Sequence, residues 1–182
     1  MKIFTANQSV LLVIDVQGKL AELMHDRDQV VARIQKLINV AQILDVPVIL
    51  TEQAPDKIGK TLPEIASALF KYLPIKKLSF SCWQNEEFQE TLGGMKMRRQ
   101  IVICGIETHV CVYQTAVDLL GQGFHVQVVV DAVSSRTKEN KEIALERLKD
   151  FGVGLTCTEM IICELLRTAE HKKFKEIMAL IK

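Results

Sequence analysis

"RRQIVICGIETHVCVYQTAVDLL", residues 98–120, carries an apolar run through a glycine and a short polar turn into a stretch with helical spacing. The run "RRQIVICG" (98–105) has the unbroken apolar character of a strand covered on both faces, as parallel strands are. From "VCVYQTAVDLL" onward the apolar period is that of a helix. A strand passing directly into a helix is half of a βαβ unit, so the same alternation should recur on either side.

It does. "SVLLVID" (9–15) reads as a first strand. Residues 27–44 place Val30, Val31, Ile34, Leu37, Ile38, Ala41 and Leu44 at helical spacing, and Asp45 and Pro47 end that helix. "VPVILTE" (46–52) and "LPIKKLSF" (73–80) read as strands two and three, with short helical segments near 62–71 and 85–92. After the opening stretch come "FHVQVVVDAV" (124–133), an amphipathic helix near 138–151, "GVGLTC" (152–157), and helices near 159–168 and 171–181. The order is βα repeated about six times, which specifies an α/β fold with a parallel sheet. In the last helix Phe174, Ile177, Met178 and Ile181 form one apolar stripe, which can cover its own domain or a second subunit. Neither a repeat nor a linker interrupts the pattern, so residues 1–182 are expected to form a single domain.

Lys plus Arg number 23 and Asp plus Glu 22, a balance without the basic excess that nucleic acid or an anionic membrane requires. No apolar run approaches the roughly 20 residues of a membrane span. The N-terminal "MKIFTANQSVLLVIDVQ" carries Asp15 and no small-residue cleavage pattern, so it reads as a buried strand and not as a signal peptide. Five cysteines without close pairs argue for a reducing, cytoplasmic compartment.

Reactive groups of open parallel sheets gather at the carboxyl ends of strands, where strand order reverses. Asp15 ends strand one, Lys76 and Lys77 lie on strand three, and Cys111 follows strand four near the start of a helix. A carboxylate there also serves as a cap or turn residue, and a lysine as a solvated charge. Yet two lysines in the largely apolar "PIKKLSFSCW" call for a carboxylate partner. A helix N-terminus favours thiolate and can receive an oxyanion, which sets Cys111 apart. Cys104 and Cys163 read as core packing, and Cys82 and Cys157 have no helix start nearby.

Together "LLVIDVQ", "KLSFS" and "GIETHVCV" followed by "VVVDAVSSR" resemble the isochorismatase-like hydrolase family, also called cysteine hydrolases, from residue 9 to about 160. The resemblance implies a three-layer α/β/α, Rossmann-like fold with a six-stranded parallel sheet. It also implies a catalytic triad that falls on Asp15, Lys77 and Cys111. Lys77 is the member because the family pattern is a lysine, then an aromatic three residues on, then serine, here Phe80 and Ser81. By the same resemblance Cys111 attacks a carbonyl carbon, Asp15 is the base and Lys77 its electrostatic partner. Backbone N–H groups of Glu107 and Cys111 form the oxyanion hole, after a non-proline cis peptide at Ile106–Glu107.

Departures from relatives narrow the reading. Nicotinamidases of the family carry an Asp-x-His element and a further histidine for a metal, whereas this chain has no histidine between His25 and His109. No metal and no cofactor are therefore expected, and nicotinamide falls as a substrate. Isochorismatases proper need no cysteine at the position of Cys111. The "TEQ" at 51–53 resembles a less characterised branch of unassigned substrate, for which Gln17, Gln53, Trp83, Thr108 and His109 are candidate pocket residues. The expected activity is hydrolysis of a small amide or related compound by a homo-oligomer. The alternative is a catalytically silent interaction module, or a redox-reactive thiol, on the same fold.

Overall fold

A computed structural model describes residues 3–181. Six parallel strands, β1 (Ser9–Ile14), β2 (Val48–Gln53), β3 (Ile75–Lys77), β4 (Gln100–Ile106), β5 (His125–Ser134) and β6 (Gly154–Thr156), form one sheet in the order β3-β2-β1-β4-β5-β6. The chain works outward from β1 to β3, then returns to the other side of β1 and works outward again. The reversal falls between β1 and β4, and a crevice opens there at their carboxyl ends.

The strands are apolar throughout because both faces of the sheet are covered. One face carries Leu11, Val13, Leu50, Val102 and Cys104 against α2 (Arg27–Ile43), α8 (Thr158–Leu166) and α9 (Phe174–Ile181). The other carries Val10, Leu12, Ile14, Ile101 and Ile103 against α5 (Glu86–Gly93), α6 (Tyr113–Gly121) and α7 (Lys138–Asp150). Successive strand residues thus alternate between two cores, and the three-layer α/β/α arrangement follows. On α9, Ile177 is fully buried and Phe174 and Ile181 pack against the first core, so that stripe covers its own fold.

Two elements are much shorter than their sequence suggests. The helix expected near 62–71 is one turn, α4 (Pro63–Ala66), and the third strand keeps only Ile75–Lys77. That strand stops because the following carbonyls, of Ser79 and Phe80, turn back to accept hydrogen bonds from the Lys77 ammonium at 3.2 Å each. Two short helices, α1 (Gly18–Glu22) and α3 (Pro55–Ile58), form in connecting segments with no marked apolar period.

Gly105 brings β4 against β1. Its φ is +135°, and a Cβ there would stand 2.2 Å from the Ile14 carbonyl oxygen and 2.7 Å from the Ile14 nitrogen. Only glycine permits this approach, which sets the ends of the two central strands side by side.

Candidate active site

Asp15 follows β1 in the left-handed region, φ 54°, which Asp tolerates better than most residues. That turn aims its carboxylate across the strand ends. Oδ1 accepts from the Thr51 hydroxyl at 2.7 Å, and Oδ2 lies 2.6 Å from Lys77 Nζ. Strand alternation explains why Lys77 and not Lys76 reaches inward: Lys77 is buried and Lys76 exposed. The ammonium also donates to Gln53 Oε1 at 2.7 Å. Burial is the largest single influence and would lower the pKa of Lys77, but the charge of Asp15, the neighbouring Cys82 and Cys111 and the hydrogen bond to Asp15 together outweigh it, and the net direction is upward. The buried cation therefore stays charged.

The connection from β4 to α6 is a π turn, Thr108–Val112, in which the Tyr113 N–H reaches the Thr108 carbonyl five residues back. Glu107 leads into it at φ 57°. Wide turns of this kind are rare and are frequently found at functional sites. Cys111 lies inside the turn and is nearly buried. Its thiol is pushed above the ordinary cysteine range, first by burial and then by the charge of Asp15, against the opposing effect of Lys77. Burial and the charge of Asp15 thus act against the thiolate that a helix start favours, and favour the neutral thiol.

Asp15, Gln53, Glu107 and Cys111 line one cavity of about 250 Å³, together with Leu20, Ile58, Phe80, Val110 and Arg136. The structure thus brings Asp15, Lys77 and Cys111 to one sheet edge, with Lys77 behind Asp15. Of the suggested pocket residues Gln53 lines this cavity, and the other four do not. Gln17 is fully buried and ties the loop after β1 to β2, donating to the Gln53 and Gly59 carbonyls at 3.1 and 2.6 Å and accepting from the Gln53 N–H at 2.6 Å. Trp83 packs edge-on against Phe124, with ring centroids 6.1 Å apart. Thr108 is buried with its hydroxyl unpartnered among the described residues. His109 turns aside, its Nδ1 3.0 Å from Ser135 Oγ and its Nε2 3.6 Å from Glu107 Oε2.

Other expectations change. Among the described residues no peptide bond is cis, so Ile106–Glu107 is trans, and the positive φ values of Gly105 and Glu107 make the turn instead. Cys163 is exposed and not in the core, because Thr158, Ile161, Ile162 and Leu166 form the inner face of α8 and leave it outside. Cys82 is fully buried beside the site. Its Sγ lies 3.9 Å from the Thr51 hydroxyl, and burial above all pushes its thiol up to about 11. Sequence reasoning passed over Leu20, Ile58, Val110 and Arg136 as cavity residues. The "SSR" that ends strand five was the available signal for Arg136. Among the described residues no group of three or more His, Cys, Asp or Glu side chains is disposed to hold a metal ion, and no helix is long and apolar enough to cross a membrane.

Comparison with known proteins follows the same lines. Residues 9–160 match the isochorismatase domain family. Isochorismatase domain-containing protein 2 of Danio rerio is 40% identical over 173 residues, which cover 95% of this chain and 86% of that protein. The structure of MAR1 ribonuclease from Caenorhabditis elegans is 37% identical with a TM-score of 0.92, over 99% of this chain and 92% of that one. YcaC from Pseudomonas aeruginosa, solved with hexane-2,5-diol and covalent acrylamide, is 27% identical with a TM-score of 0.90, over 98% and 91% of the two chains. With its sheet order, its crevice and these matches, the chain belongs to the isochorismatase-like hydrolase family.

Proposed function

We propose that residues 1–182 form one cysteine hydrolase domain acting on a small amide or related compound, with Cys111 as nucleophile, Asp15 as base and Lys77 as the cation that fixes Asp15. The observation that carries this reading is a buried thiol on the wall of a small cavity, next to a carboxylate whose two oxygens are held by Thr51 and Lys77. Because the resting thiol is neutral, its proton passes to Asp15 as sulfur attacks the carbonyl carbon. The developing oxyanion is received by the backbone N–H groups of Glu107 and Cys111. Protonated Asp15 then hands its proton to the departing amine, leaving a thioester on Cys111. Asp15 next takes a proton from water, whose oxygen attacks the thioester. Carboxylic acid leaves, and the thiol is restored.

The P. aeruginosa relative carries covalent acrylamide, and since acrylamide bonds nucleophiles at its alkene carbon with the amide intact, this supports a reactive nucleophile on the fold and leaves amide cleavage to the test. The test is intact mass, read for acyl adducts, after incubation with a panel of small neutral saturated amides, together with ammonia release. A Cys111 adduct that disappears in Cys111→Ala, and turnover that disappears in Asp15→Asn, are the expected results. Adducts that persist in Cys111→Ala would overturn the assignment, and a broad panel without adduct or turnover would favour the silent module.

The name of the C. elegans relative raises RNA cleavage as a second reading. Against it stand a net charge of +1 and a cavity whose arginine is already paired, where a polyanion needs several free cations. Incubation with labelled RNA decides, since cleavage that depends on Asp15 and Cys111 would replace the amide reading. Five free cysteines fit a reducing, cytoplasmic location. Exposed Leu23, Leu78 and Phe80 support a homo-oligomer, which sedimentation would measure.

A further inference from the structure

We propose that this cavity selects uncharged ligands, because each charge on its wall is already paired within the protein: Asp15 with Lys77, and Glu107 with Arg136. The inference rests on the reading that Cys111 is the reacting group. It deepens that reading by naming the class of compound that reaches the thiol.

The inner pair is closed off, with Lys77 fully buried and Asp15 nearly so. The outer pair stands at the wall. Arg136 Nε lies 3.0 Å from Glu107 Oε1, with the Glu107 side chain 10% exposed and the Arg136 side chain 54% exposed. Glu107 is the inner member, and its left-handed backbone fixes where its carboxylate points. Its second oxygen faces His109 Nε2 at 3.6 Å. Other wall residues are the apolar Leu20, Ile58, Phe80 and Val110 and the uncharged Gln53.

An anion entering this space meets the carboxylates of Asp15 and Glu107, and the one guanidinium on the wall has its charge already offset by Glu107 at Nε, although its Nη groups stay open to a contact. A cation must compete with Lys77 or Arg136 for the same carboxylates. A neutral molecule breaks no pair and covers apolar wall. At about 250 Å³ the cavity is also below the roughly 300 Å³ at which drug-sized sites begin. Short, uncharged amides with an apolar acyl group fit both conditions.

Two reagents that differ in one charge provide the test. Iodoacetamide and iodoacetate each lose iodide as the cysteine sulfur bonds to their methylene carbon, and the thiol proton goes to buffer. Rates at Cys111 are read by peptide mass and divided by the rates at exposed Cys163 of the same molecules. The wild-type ratio of iodoacetamide to iodoacetate should favour the amide at least tenfold. E107Q frees Arg136 and should raise the relative iodoacetate rate at least tenfold. R136Q, at a half-exposed position that carries no core packing, leaves Glu107 unpaired and should lower the relative iodoacetate rate further. Equal wild-type reactivity toward the two reagents, or a ratio that neither variant moves, overturns charge selection and leaves the nucleophile reading standing. Failure of Cys111 to react with either reagent while Cys163 reacts with both overturns the nucleophile reading itself.

Discussion

Lys77 Nζ stands 2.6 Å from Asp15 Oδ2, and the two side chains are 0% and 2% exposed. Neither charge has water to fall back on. Lys77→Met should therefore leave a buried carboxylate without its cation and cost about 3–5 kcal/mol of stability. Urea unfolding measures this, and Asp15→Asn in the Lys77→Met background should recover part of the loss. Since the pKa of Lys77 is raised on folding, its contribution is complete below the ordinary lysine range and is lost as pH climbs through the raised value. Stability traceable to the pair should accordingly be flat from mildly acidic to mildly alkaline pH. A decline near neutrality would contradict it.

Thr51 holds the other oxygen of the same carboxylate. Thr51→Val keeps the shape and removes the hydroxyl, leaving a buried acceptor short of a donor at a cost of about 1–3 kcal/mol. Acrylamide adduct formation at Cys111 should slow while Thr51→Ser restores it. If valine and serine behave alike, the hydroxyl does not position Asp15.

The raised thiol of Cys111 has a kinetic signature. Its alkylation rate should keep climbing with pH beyond the ordinary cysteine range, with exposed Cys163 read beside it as an internal reference. In Asp15→Asn, the loss of a neighbouring negative charge should move the Cys111 inflection to lower pH. Site-resolved mass spectrometry across a pH series reads both residues in one sample, and coincident curves would refute the assignment.

Gly105→Ala tests the approach of the central strands. The added methyl would fall 2.2 Å from the Ile14 carbonyl oxygen, at a backbone angle that alanine rarely adopts. A loss of about 4 kcal/mol or more is expected from this combined clash and strain, within the range reserved for severe substitutions. A thermal midpoint close to that of the parent would show that β4 can move away from β1.

The architecture is legible in the sequence because parallel strands covered on both sides leave unbroken apolar runs, as in "SVLLVID" and "QIVIC". Asp15 and Cys111 are legible as strand-end residues. Lys77 is separable from Lys76 only through the resemblance, since strand parity cannot be set without knowing which face is inward. The wall of the cavity is illegible for another reason. Leu20 and Ile58 come from two short helices and Arg136 from the turn after β5, far apart in the chain, and none stands in a marked apolar period. Cys163 was within reach: the spacing of Thr158, Ile161, Ile162 and Leu166 already puts it off the inner stripe.

The π turn at 108–112 has a consequence for descent. It holds one residue more than an α-helical ring, so losing a single residue there need not unmake any helix. It would instead rotate Cys111 by about 100° relative to the strand end, out of reach of Asp15. One in-frame codon deletion is thus a short mutational route from an armed member of this lineage to an inert one that still folds. A variant lacking Val110 should keep its circular dichroism and lose Cys111 reactivity, and a variant that unfolds would close that route.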